Sequence, residues 1–297
     1  MKINIILICL IFLAGIFQSV AAQTPRVFVL DGDLLAKRRA LIADERSTDR
    51  TYDKALEQIR KDANAALKVT IKSVVEKEIV PPSGDKHDYM SQAPYFWKNP
   101  NTPNGLPYIR KDGERNPEID KIPDSDQLSL LITTVEKLAL GFYFTNNETF
   151  AAKAGEILRM WFINPETKMN PNLEFGQGIP GLYTGREFGI IETRGLTRVV
   201  DAIGLLNNSK TWTKADETAM RNWFGSYLNW LLTSKLGMAE GRTKNNHGVH
   251  YDAQVVSFAL FSGRDDLAKK QLETVTKKRI VEQIMADGKM PEELART

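Results

Sequence analysis

Histidine and cysteine are the scarce residues of this 297-residue chain, which holds three of the first and one of the second. The one cysteine, Cys9, lies inside an apolar N-terminal run. A chain cleaved after that run has no disulfide and no Cys-ligated metal. HExxH pairs, Cys clusters and Gly-rich phosphate loops are all missing, which removes the common zinc and nucleotide sites. The chain also lacks an excess of either charge, with 40 Lys and Arg against 37 Asp and Glu. Such balance argues against a partner held by nucleic-acid phosphates. It leaves room for a local basic groove that takes an acidic polymer. Beyond the N-terminus no segment alternates apolar and polar residues over a useful strand length.

Residues 1–22 read as a secretory signal. Lys2 is the positive start, Ile5 to Phe17 the apolar run, and Val20-Ala21-Ala22 a small-residue cleavage site before Gln23. The run is short for a membrane span. Cys9 comes too early in it to be a lipid-attachment site. Cleavage predicts a periplasmic or secreted chain, residues 23–297, with no stable membrane span. The segment's only charge is Lys2, so 39 basic and 37 acidic residues remain.

Most of the remainder reads as helices. Asp33 is placed to cap the first, through Leu41. Apolar positions at spacings of three and four predict a second over 50–77. Residues 80–125 hold eight prolines and the aromatics Tyr89, Tyr95, Phe96, Trp97 and Tyr108, and form a connection long enough to be functional. Helices resume at Asp124-Ser125-Asp126 and again at Asn147, joined by a tight turn at 146/147. A second long connection spans 164–185. Arg186 to Leu206, Thr213 to Leu231, a stretch to Phe261 and Asp265 to about Asp287 complete the helices. Short connections alternate with long ones, so the long ones can gather at one end of the molecule and build a cleft. An α/α toroid has that property. A helical solenoid has it too, but no repeat of fixed period is present.

The chemistry concentrates in Lys244-Asn245-Asn246-His247-Gly248-Val249-His250-Tyr251-Asp252. The cluster sits at a predicted helix N-terminus, where free backbone N–H groups favour an anion. Amide and imidazole together suit a carboxylate-bearing substrate whose charge grows in a transition state. The plainer alternative is that Asn245 or Asn246 caps the helix and His247 fills a polar pocket. His250 reads as structural.

Four stretches in collinear order resemble the alginate lyase superfamily. They are Lys86-His87-Asp88-Tyr89 through Trp97, continued by Gly105 to Gly113; Gly185-Arg186 through Arg194; Asn245-Asn246-His247-Gly248; and Asp287-Gly288 with Pro291 through Thr297. The resemblance covers roughly residues 60 to 297. It implies one α/α-toroid domain and β-elimination on polymers such as alginate or glucuronan, with no cofactor and no metal. In that family the Asn-His pair and a later Arg serve the uronate carboxylate and the reaction at its neighbouring carbon, which maps onto Asn246, His247 and Arg296. The family's tyrosine one or two helical turns beyond that Arg has no counterpart before Thr297, so the resemblance implies a toroid truncated at its C-terminus.

Removing the C5 proton of a uronate requires its carboxylate to be neutralised by preorganised donors. It also requires a base, and an acid for the leaving oxygen. Asn246 and Arg296 are assigned to neutralisation, and His247 to neutralisation or to the base. His87, Tyr89, Tyr95 and Trp97 are placed over the sugar groove. Gln177, Tyr183, Arg186 and Arg194 are placed at carboxylates of outer subsites; an ion pair of Arg194 with Glu192 or Asp201 is the competing role. Tyr251 is a candidate acid or base. A non-catalytic polyuronate-binding protein is one rival reading. A glycoside hydrolase is another, and would need two carboxylates from among Glu187, Glu192 and Asp252.

Overall fold

The computed structural model describes residues 24–44 and 50–295. The signal-like segment, Arg296 and Thr297 lie outside the described residues. Helix α1, Gly32–Ala43, is capped by Asp31 rather than Asp33: the Asp31 side chain accepts from Leu34 N. Helix α2, Asp53–Ala66, stops well short of residue 77. Val69, Thr70 and Ile71 follow it, and their branched side chains crowd a helical backbone. A 3₁₀ turn at Val74–Glu76, capped by Ser73, comes instead.

The connection from 80 to 123 contains β1 (Met90–Gln92), β2 (Phe96–Trp97) and β3 (Ile109–Arg110). Helix α3, Asp124–Thr145, turns at Asn146, which takes a left-handed φ of 55°, into α4, Glu148–Leu158, capped by Asn147. The second long connection carries β4 (Phe175–Gly178). Arg186 to Leu206 divides into a 3₁₀ segment, Glu187–Thr193, and α5, Leu196–Leu206, with Gly195 between them. Then come α6, Lys214–Thr233, and a short α7, Lys235–Gly241. Next are α8, Asn246–Phe261; α9, Asp265–Lys270; α10, Lys277–Gln283; and α11, Pro291–Leu294. A π-helical stretch at Gln271–Thr276 joins α9 to α10.

These helices form an α/α toroid with no closed sheet among the described residues. Helix α3 packs against α2, α4 and α5, and α8 against α5, α6, α7 and α9. Leu131, Val135 and Leu138 of α3 meet one continuous core that includes Val199, Phe224, Leu228, Val255 and Phe258. By length and composition α3 is apolar enough to cross a membrane, yet 56% of that window is buried inside the fold, as a core helix requires. At Gly141 a Cβ would stand 2.5 Å from that of Ala63, so the α2–α3 approach depends on a missing side chain.

The two long connections fold onto each other. Strand β1 pairs in parallel with β4, Met90 opposite Phe175 and Gln92 opposite Gly178. Strands β2 and β3 form an antiparallel pair. Two to four residues are too few to display an alternating pattern, which is why none shows in the sequence. Asp88 accepts from both Asn170 and Asn172, and the His87 carbonyl accepts from Asn170 N. The base of this assembly is tied to the core by a sealed ion pair, Lys77 to Asp124 at 2.8 Å, with side chains 0% and 1% exposed.

Candidate active site

Asn245 caps α8, its Oδ1 accepting from His247 N at 3.1 Å. Asn246 opens the helix and gives its N–H to a carboxylate oxygen of Glu293 on α11. The anion favoured at this N-terminus is therefore supplied by the protein itself. His247 follows in the first turn, 8% exposed. Its Nδ1 lies 2.7 Å from Oε1 of Glu240 on α7. Burial pushes the Glu240 carboxyl up from its ordinary value, and the imidazole pulls it back. The second oxygen, Oε2, is buried with no hydrogen-bond partner among the described residues, a costly state for an ionised oxygen. With Glu240 as acceptor, Nδ1 carries the proton and Nε2 is the basic nitrogen. Nε2 has no hydrogen-bond partner among the described residues.

Phe188 joins the two halves of the site. Its ring meets His247 edge-on, centroids 5.0 Å apart, and the Arg186 guanidinium lies 4.9 Å from the same ring. Arg186 is also 5.4 Å from the ring of Phe96 on β2. Gln177 holds one edge of the guanidinium, Nε giving to its carbonyl at 3.2 Å and Nη2 to its Oε1 at 2.9 Å. Burial lowers the Arg186 pKa; Glu187 opposes that shift, and Arg110 on β3 adds to it. Beneath lies Glu192, raised by burial and held back by the hydroxyls of Tyr89 and Ser91 and the amide of Gln177. Arg194 is exposed, donates to the Ile191 carbonyl, and bears electrostatically on both Glu192 and His250. Asp201 is not its partner: that carboxylate receives the backbone N–H groups of Phe28, Val29 and Leu30. Burial and the nearby cations lower the His250 pKa.

The structure thus brings His247, Arg186 and Gln177 together, with Asn246 beside them and Arg194 at the edge. Tyr95 and Tyr183 are open to solvent at 40% and 60%. Tyr183 borders a cavity of about 390 Å³ beside β1 and β4. Trp97 is half-buried, its indole N–H bonded to the Glu114 carbonyl and Lys111 over its ring. His87 is pinned by Nδ1 to the Lys168 carbonyl at 2.6 Å, a bond that joins the two long connections.

Two expected substrate contacts are corrected. Tyr89 is fully buried and its hydroxyl is spent on Glu192 at 2.6 Å, so it has no ring face for a sugar. Tyr251 is 6% exposed, bonds the Leu231 carbonyl and has its pKa pushed up to about 12 by burial, which leaves it neither accessible nor basic. Asp252, one of the carboxylates a hydrolase would need, is sealed in an ion pair with Arg279 and a bond from Gln271. Arg296 lies outside the described residues. Glu240, Phe188 and Arg110 were not singled out in the sequence. Glu240 carries no motif there; its proximity to His247 is created by the α7–α8 turn.

Comparison with known proteins agrees with this architecture. A family model described as alginate lyase matches residues 73–297. The crystal structure of an alginate lyase from Bacteroides ovatus is 42% identical, covering 92% of this chain and 70% of that one, with a TM-score of 0.85. No curated protein matches at a significant level. A toroid of helices with two long connections folded onto each other, and a paired imidazole and carboxylate at one helix start, thus has its relatives: the chain belongs to the alginate lyase family and is a polysaccharide lyase.

Proposed function

We propose that the chain cleaves a uronic-acid-containing polysaccharide, alginate or a glucuronan-like polymer, by β-elimination, and that it does so in the periplasm or outside the cell. The observation that carries this reading is the Glu240–His247 pair at 2.7 Å, set behind the same phenyl ring that seats Arg186. An acidic sugar needs cationic donors at its carboxylate, and Arg186, Arg110 and Arg194 supply them around this locus.

In the proposed reaction, Asn246 and Arg296 neutralise the carboxylate of the reacting residue so that charge flows into an enolate-like state. His247, oriented by Glu240, withdraws the C5 proton or shares in that neutralisation. The glycosidic bond at C4 then breaks, the C5 electron pair forms a C4–C5 double bond on the new sugar end, and the departing oxygen takes a proton from water or from the protonated His247. Tyr95, Trp97 and Tyr183 offer amphipathic ring faces to neighbouring sugars. Arg186 and Arg194 hold carboxylates at outer subsites.

The test is the rise in ultraviolet absorbance from unsaturated ends on polymannuronate, polyguluronate and polyglucuronate. Activity on at least one, lost by about 100-fold or more in His247→Ala, is the expected result. Silence on all three, or products with saturated ends, overturns the reading.

A further inference from the structure

Gln177 stands out on the backbone before it does by chemistry. Its φ is +47°, one of two positive values among the described non-glycine residues. An L side chain there costs on the order of 1 kcal/mol or more relative to glycine, and glycines precede and follow it at 176 and 178. The side chain is therefore retained against a local preference. The left-handed turn points the carbonyl and the side-chain oxygen of one residue at Arg186, through Nε at 3.2 Å and Nη2 at 2.9 Å, while its amide group bonds the buried Glu192. Its own N–H is fixed by the Ser91 hydroxyl at 2.7 Å. With that edge taken and two rings, Phe96 and Phe188, against the guanidinium, Nη1 and the second hydrogen of Nη2 are what remain for hydrogen bonding. Nη1 makes no hydrogen bond among the described residues. That remaining edge has the fork geometry of a bidentate carboxylate contact.

We propose that Gln177 is a positioning residue: by holding one edge of Arg186 it aims the opposite edge at a carboxylate of the polymer next to the reacting sugar. This rests on the reading that Arg186 binds a uronate. The carboxylate contact expected of Gln177 from the sequence passes in this proposal to Arg186, and Gln177 itself touches no substrate. Its neutrality matters, because a carboxylate in its place would spend the cation that the substrate needs.

The experiment compares Gln177→Gly, Gln177→Glu and Arg186→Ala in the full chain, by calorimetric binding of a mannuronate, guluronate or glucuronate tetrasaccharide, whichever matches the polymer that the parent protein cleaves, and by kcat and KM on that polymer. Gln177→Gly is expected to weaken binding and raise KM about tenfold, with kcat within about threefold, whereas its stability reflects two opposed changes, relief of backbone strain and loss of the bond to buried Glu192. Gln177→Glu is expected to weaken binding at least as much, although it keeps an acceptor for Arg186. A residue that serves only the fold would instead leave KM and binding alone, whatever the melting temperature does. If Arg186→Ala weakens binding and neither Gln177 variant does, this inference is wrong and the reading of Arg186 stands. If Arg186→Ala leaves binding unchanged, the reading of Arg186 fails first, and the proposal falls with it.

Discussion

Glu240 acts on His247 in two ways, fixing the ring by a bond to Nδ1 and selecting which nitrogen is basic. Glu240→Gln keeps the shape but lets an amide N–H face Nδ1, which favours the wrong tautomer. The expected outcome is a fall in kcat of about 100-fold or more with oligosaccharide affinity little changed, read from initial rates of unsaturated-end formation and from calorimetry. Tyr251 makes the opposite prediction. Its hydroxyl serves the Leu231 carbonyl, so Tyr251→Phe should cost about 1 kcal/mol of stability in denaturant unfolding and leave turnover within about twofold. His247 was legible because so few histidines exist and this one follows two amides. Tyr251 was misread for a reason the helix itself provides: four residues on, it shares a face with His247, and that face turns into the core.

Helix ends show where local chemistry suffices. Asn147 and Thr213 cap the helices that begin after them in the sequence reading, the latter in a reciprocal box with Asp216. Asp216 also receives Nε and Nη2 of Arg159, and that donation pulls its carboxyl down to about 2, below the ordinary carboxylate range. A carboxyl depressed on folding stabilises at pH above its unfolded value, and the gain fades as pH falls through the folded value. The full shift corresponds to about 2.5 kcal/mol, and the exposure of Arg159 reduces it to about 1–2. Asp216→Asn should therefore lose that much at neutral pH. The gap from the parent protein should close between about pH 4 and pH 2, as measured by urea unfolding across that range. Segment 186–206 shows what spacing conceals. Its apolar positions fit one helix, yet Glu192 must turn to meet Tyr89 and Ser91. A tighter 3₁₀ turn followed by Gly195 achieves this, and no pattern within the segment announces a partner a hundred residues upstream.

On the scale of the molecule, the toroid was readable from the alternation of short and long connections, whereas the joining of the long ones was not. Parallel pairing of β1 with β4 is set by tertiary neighbours, not by residues that favour strands. The sealed Lys77–Asp124 pair anchors that assembly, since Lys77 also bonds the carbonyls of Val74 and Lys86 and Asp124 receives Met90 N. Burial lowers the Lys77 pKa and raises that of Asp124. Lys77→Ala leaves a buried anion alone and should cost about 3–5 kcal/mol, whereas replacing both partners by apolar residues of similar volume should cost far less; thermal unfolding of the two variants decides it. The pairing of β1 with β4 has a bearing on how such enzymes are re-engineered. Residues 83–92 and 168–178 are stitched by strand pairing, by Asp88 and by His87, so neither is a separable graft. A chimera that imports one without the other inherits mismatched seams, and a new specificity has to be transplanted as the matched set.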